Sequence, residues 1–254
     1  MTLGTLLIAA TLSLSSVVGQ AADEAPYLPP ERVPNGVTIL PPPPRAGSPA
    51  ARADRAIFAV TRKLRGTARW QIATDDVTNT ALDRYACALG LQLTPAAAPA
   101  VTRLLDRAGT GLLVDPVKTH YHTRRPFVGT RAPICEAKSD HLIGNGDYPS
   151  GHAANGWLEA LILAELAPER ATALLSRGRA YGESRVVCGS HTASAVEGGW
   201  IAGTVMFAAL NAEPRFRHDL DEARRELAAI SADAVRPDPH HCESEDAVLA
   251  GRPW

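Results

Sequence analysis

Two histidines, three basic residues and a Ser-Gly pair lie between residues 118 and 191 in an arrangement that could hold a strongly anionic group. The stretch VKTHYHTRRPF sets Lys118 and Arg125 seven residues apart, which on a helix is two turns and hence one face. The stretch GDYPSGHAANGW puts Ser150, Gly151 and His152 where a loop gives way to an apolar helix. A helix start offers unpaired N–H groups and the positive end of the dipole, Gly151 lets an oxyanion approach the backbone, and Ser150 adds a hydroxyl. The stretch ESRVVCGSHTASAVEGG contributes Arg185 and, six residues on, His191, ahead of another apolar run. Taken singly, these are also a solvated basic face, a serine N-cap and core histidines. Taken together, they read K-x6-R-P, P-S-G-H and S-R-x5-H. Fixed cations, donors and two imidazoles suit phosphoryl transfer, whose catalysis is mostly positioning and charge stabilisation.

The elements that must position these residues read as helices almost throughout: 50–65, 79–90, 96–122, 152–166, 168–183, 194–211 and 214–231. Strand signals are few, so the expected fold class is all-α, a single-domain helical bundle over 50–254. WLEALILAEL (157–166) and WIAGTVMFAAL (200–210) are apolar nearly all round, as central helices must be. The last predicted helix spaces Phe216, Leu220, Leu227 and Ile230 along one face, which places it at the surface. Nine of the twenty prolines fall between Pro26 and Pro49, so residues 23–49 read as an extended arm.

A net charge of −1 over 254 residues gives no global field for nucleic acid or an anionic membrane. Residues 1–22 begin with an uncharged apolar run and end in small residues, and read as a cleaved signal peptide. No other segment reads as long and apolar enough to span a bilayer, so the expected product is a soluble periplasmic or secreted protein. Cys87, Cys135, Cys188 and Cys242 allow two disulfides in any of three pairings. His120, His122 and the HHC run at 240–242 invite a metal reading, but C-x-x-C and H-E-x-x-H are both absent, and no metal or cofactor is expected.

The run from LPPPP near residue 40 through KTHYHTRRP and YPSGH to SRVVCGSH resembles the bacterial class A non-specific acid phosphatases. These lie in the superfamily of type 2 phosphatidic acid phosphatases and vanadium haloperoxidases. The resemblance implies an exported, metal-independent enzyme acting on small phosphomonoesters such as nucleotides or sugar phosphates, with phosphoryl transfer to other alcohols as a side reaction. It implies His191 as the nucleophile that becomes phosphohistidine and His152 as general acid. Lys118, Arg125, Arg185, Ser150 and the Gly151 amide would hold the phosphoryl oxygens. A non-catalytic phosphate binder and a vanadate-dependent haloperoxidase are the alternatives on the same cradle, and a homo-oligomer is neither required nor excluded.

One position departs from the pattern. The family motif ends H-x3-D, with an aspartate orienting the nucleophilic imidazole, whereas the fourth residue after His191 is Ala195. Glu197 could replace it only with irregular backbone, being about 200° round a helix from position 195. A backbone carbonyl or water could orient the ring instead, or the alanine could disable the chemistry.

Overall fold

The computed structural model describes residues 25–230 and 235–254; the expected leader, 1–22, lies outside the described residues. Among the described residues there are helices, turns and loops and no strand, in one all-α domain. From Ala25 to Ser48 the chain is largely extended, burying Tyr27, Leu28 and Leu40 against the helical body. A 3-10 turn (Pro30–Arg32) and one short helix interrupt it, the helix being α1 (Gly36–Ile39), capped by the Asn35 side chain. It lies so close to a later helix that a Cβ at Gly36 would meet Val117 and Leu113 at 2.7 and 2.9 Å.

Helix α2 (Pro49–Thr61) starts with Ser48, whose Oγ accepts from Ala51 N at 3.1 Å, and Pro49, whose missing N–H costs nothing in the first turn. Then come α3 (Ala68–Asp75), α4 (Ala81–Leu89), α5 (Pro99–Arg107) and α6 (Gly111–Tyr121). The helix expected over 96–122 is therefore two. Gly109 and Thr110 break it, and the Thr110 N–H and hydroxyl both donate to Asn155 Oδ1, at 3.0 and 2.6 Å. Helix α3 was not anticipated, because its apolar and polar residues are not segregated by face.

A single-turn α7 (Asp140–Gly144) precedes the central layer, α8 (Gly151–Leu166), α9 (Ala171–Cys188) and α10 (Ala193–Asn211). Helix α8 packs against both of the others through small residues. A Cβ at Gly156 would strike the Tyr181 ring at 2.0 Å, one at Gly178 the Ala160 Cβ at 2.5 Å, and one at Gly203 the Ala154 carbonyl at 2.5 Å. Backbones this close leave no gap between the helices. Helix α9 runs five residues beyond the expected 183, to Cys188.

By length and composition α10 could cross a membrane, contrary to the sequence expectation, but half of that stretch is buried inside the bundle. Nor is it wholly interior, since Ile201 is exposed on its outer side. Helix α11 (Pro214–Ile230) covers α5 with Phe216, Leu220, Ala223 and Leu227, as its periodicity requires. The polar α12 (Pro239–Leu249) gave no apolar period to read, and is fastened to α4 by the Cys87–Cys242 disulfide. The second disulfide joins Cys135 to Cys188 at the end of α9.

Candidate active site

Lys118 sits in the last turn of α6, its stem buried and its Nζ donating to the Gly146 carbonyl. The helix ends three residues later at Tyr121, and the next residue, His122, caps it with a left-handed φ of 46°. Arg125 is thus on the following loop, and the shared helix face expected for Lys118 and Arg125 does not exist. The two cations converge because each grips the 145–150 loop: Arg125 Nε donates to the Asn145 carbonyl at 2.7 Å, one residue before the acceptor of Lys118. The loops are further joined by Asp147 N to Thr123 O at 2.9 Å and Tyr148 N to Thr123 Oγ1 at 2.8 Å.

That loop delivers Ser150 to the start of α8, where its Oγ accepts from Ala153 N at 3.3 Å and its own N–H donates to the Ala195 carbonyl at 2.8 Å. The N-cap role is therefore real, and the hydroxyl proton remains to be given elsewhere. A Cβ at Gly151 would touch Val114 alone, at 3.8 Å, so packing does not require the glycine and room remains beside its amide. His152 follows in the first turn, exposed, with no hydrogen bond among the described residues.

Arg185 is fully buried on α9. Its Nη2 pairs with Glu136, while Nε and Nη1 have no partner among the described residues. A buried guanidinium left half unpaired is costly unless an anion completes it. Its helix is pinned from behind by Ser184, which accepts from Arg69 Nη1 at 2.9 Å and donates to the buried Asp76 at 2.6 Å.

Gly189 ends α9 with φ 87°, and a Cβ there would collide with the Arg62 guanidinium at 2.4 Å. Arg62 uses that space to bond the carbonyls of Val186, Val187 and Cys188. The chain then folds back, so that Ser190 N and His191 N both donate to Arg185 O, at 3.1 and 3.3 Å. His191 Nε2 accepts from Arg125 Nη1 at 2.9 Å, and Nδ1 lies 2.8 Å from the Asp147 carbonyl and 3.0 Å from Asp147 Oδ1. With a guanidinium donating to Nε2, the ring proton must sit on Nδ1.

The PAP2 superfamily model matches residues 100–217. An acid phosphatase of Zymomonas mobilis subsp. mobilis is 41% identical over 215 residues, 82% of this chain and 81% of its own. Non-specific acid phosphatases of Salmonella typhimurium and Providencia stuartii are 36% and 35% identical, each over 80% of this chain and 84% and 85% of theirs. The chain belongs to the acid phosphatases of the PAP2 superfamily.

Electrostatics at the centre of this acid phosphatase are dominated by desolvated cations. Burial and the neighbouring Arg125 push the Lys118 pKa down to about 8. Burial, then the charges of Arg125, Lys118 and Arg185, hold His191 well below the usual histidine range, so it is neutral. His152 is lowered by the surrounding protein and by Arg185, a shift that water screens in part because the ring is exposed. Asp147, buried, is raised to about 6 despite hydrogen bonds from Thr192 and the charges of Arg125 and Lys118.

Of the seven residues expected from the sequence, Lys118, Gly151, His152 and Arg185 lie on three helices, and Arg125, Ser150 and His191 on the loops between them. Asp147, Glu136 and Arg62 were not anticipated. Asp147 stood inside a stretch already singled out, but its contact to His191 spans 44 residues and leaves no local trace. Tyr148, next to Asp147, is buried with its hydroxyl on the Pro41 carbonyl of the arm, which ties the arm to this loop.

Proposed function

We propose that this acid phosphatase hydrolyses small phosphomonoesters without a metal ion, through a phosphohistidine at His191. The observation that carries the reading is the fully buried Arg185, with two nitrogens unpartnered among the described residues, beside a histidine whose tautomer leaves Nε2 as the nucleophile. The phosphoryl group enters among Lys118, Arg125 and Arg185, with the Ser150 hydroxyl and the Gly151 amide as further donors. Arg125 turns from Nε2 to a phosphoryl oxygen, and Nε2 attacks phosphorus as the ester P–O bond breaks.

His152 gives its proton to the departing alkoxide. In the empty cleft the nearby cations oppose that proton, and a bound phosphate dianion neutralises them, so the substrate supplies the charge that makes His152 an acid. Water then attacks phosphorus and gives a proton to His152 as the P–N bond breaks, its electron pair returning to His191 Nε2 and phosphate being released. An alcohol in place of water gives transphosphorylation. The uncharged leader and the two disulfides support export to a periplasmic or extracellular site.

Hydrolysis of p-nitrophenyl phosphate in EDTA, with rapid-quench trapping of the phosphoenzyme, tests the scheme. Wild type should turn over and give an acid-labile, base-stable phosphoprotein that His191→Ala lacks. His152→Ala should lose far more activity on alkyl phosphates than on the nitrophenyl ester, whose leaving group needs little protonation. Turnover by His191→Ala, or a requirement for metal, would refute the proposal.

A further inference from the structure

The family motif carries a carboxylate four residues after the nucleophile, and here that position is Ala195, fully buried in the apolar core. Its carbonyl is engaged by the Ser150 amide. Glu197 does not substitute, being exposed on the outer side of α10. What meets the His191 ring at Nδ1 is Asp147, with its backbone carbonyl at 2.8 Å and Oδ1 at 3.0 Å.

The carboxylate is itself held. Oδ1 accepts from Thr192 N at 3.2 Å and Oδ2 from Thr192 Oγ1 at 2.7 Å. No Lys or Arg forms an ion pair with it among the described residues; its one charge-capable hydrogen-bond partner is His191. The groups facing it are Lys118 of α6, Arg125 of the next loop, Asp54 of α2 and the His191 ring. A buried carboxylate with this set of contacts is unfavourable unless a positive charge develops beside it.

We infer that Asp147 is the positioning residue of the reaction, supplying from the loop before Ser150 the carboxylate that the family motif carries on α10. The inference rests on the phosphohistidine reading above. Before reaction, Nδ1–H donates to Asp147 and fixes the tautomer with Nε2 unprotonated. When Nε2 bonds to phosphorus, the ring becomes cationic while its proton stays on Nδ1, facing the Asp147 carboxylate. When the P–N bond is cleaved, the ring returns to neutral with that proton unmoved. Asp147 therefore favours the phosphorylated state without itself accepting a proton.

The test compares wild type, Asp147→Asn, Asp147→Ala, Ala195→Asp and the double variant Asp147→Ala/Ala195→Asp. Asp147→Asn should lower kcat by about 10²- to 10⁴-fold, the upper figure being the loss for the corresponding carboxylate of the serine-protease triad. Its KM and its inhibition by inorganic phosphate should stay within about threefold, since the anion cradle is untouched. Below about pH 6, where Asp147 of the free enzyme takes up a proton, wild-type kcat/KM should fall, and that limb should vanish in Asp147→Asn. Ala195→Asp alone should bring no gain, whereas in the double variant it should recover at least tenfold over Asp147→Ala. Nitrogen-15 NMR of wild type, which needs no variant to fold, should show the His191 proton on Nδ1 at low field.

A proton on Nε2, or an Asp147→Asn enzyme with near wild-type kcat and an unaltered acid limb, would overturn the inference. If His191→Ala also remained active, the phosphohistidine reading would fail as well. If it were inactive, only the role of Asp147 would fall.

Discussion

Lys118 carries its charge where water cannot easily support it, and the consequence is a pH limit. Its pKa, pushed down to about 8 by burial and by Arg125, means that above that pH the free enzyme loses one of three cations in the cradle. The phosphomonoester is already a dianion there and both histidines are neutral, so no other group of the site masks the change. We expect kcat/KM to fall about tenfold per pH unit above pH 8, since that ratio reports free-enzyme pKa values. The loss should appear in KM rather than kcat, because bound phosphate holds the proton on Lys118. Lys118→Met should give a high KM with no alkaline limb. A wild-type KM unchanged through pH 9.5 would show that Lys118 does not hold the phosphate.

The elements explain how residues so far apart in sequence reach one point, and small side chains do most of it. At the N-terminus of α8 the face of α10 is Ala195, Gly199 and Gly203; a Cβ at Gly199 would approach the Ser150 carbonyl to 2.6 Å and the Ala153 Cβ to 2.9 Å. Gly199→Ala must therefore push the start of α8 away, at about 1–3 kcal/mol of stability for overpacking, and displace the Ser150 and Gly151 donors with it. Gly203→Ala meets the Ala154 carbonyl at 2.5 Å, one turn further from the site. Thermal unfolding should show both variants destabilised, while a raised inhibition constant for phosphate should appear in Gly199→Ala alone.

The same comparison marks what the sequence could reveal. Helices α8 and α10 were legible because apolar composition survives without knowledge of neighbours, and α11 because its buried face is periodic. The cations were legible by type, but not by mechanism. A helix drawn through residue 122 put Lys118 and Arg125 on one face, whereas the chain turns at His122 and backbone carbonyls of a distant loop bring them together. Asp147 was invisible for the same reason, since a contact between loops has no period.

In the whole molecule the two disulfides have unequal duties. Cys87–Cys242 spans 155 residues and Cys135–Cys188 spans 53, worth about 5 and about 4 kcal/mol in the chain-entropy model. The first fastens α12 to α4, neither of which carries a residue of the proposed cradle, so Cys87→Ala/Cys242→Ala should lower the melting temperature and leave KM unchanged. The second stands one residue from Glu136, whose carboxylate meets both Arg185 and Ser190. Cys135→Ala/Cys188→Ala should therefore lower the melting temperature and also raise KM, by freeing the Arg185 guanidinium to swing. Equal KM values in the two double variants would show that the 131–139 loop does not steer Arg185.

Because that bridge closes beside the residues proposed to hold phosphate, we expect the cradle to be finished by an oxidant rather than by folding alone. A chain newly made among the phosphate esters of a thiol-rich compartment would hold Arg185 loosely and bind them poorly. Its full grip is expected only after the sulfurs join, and a higher KM in Cys135→Ala/Cys188→Ala than in Cys87→Ala/Cys242→Ala is the result that would establish it.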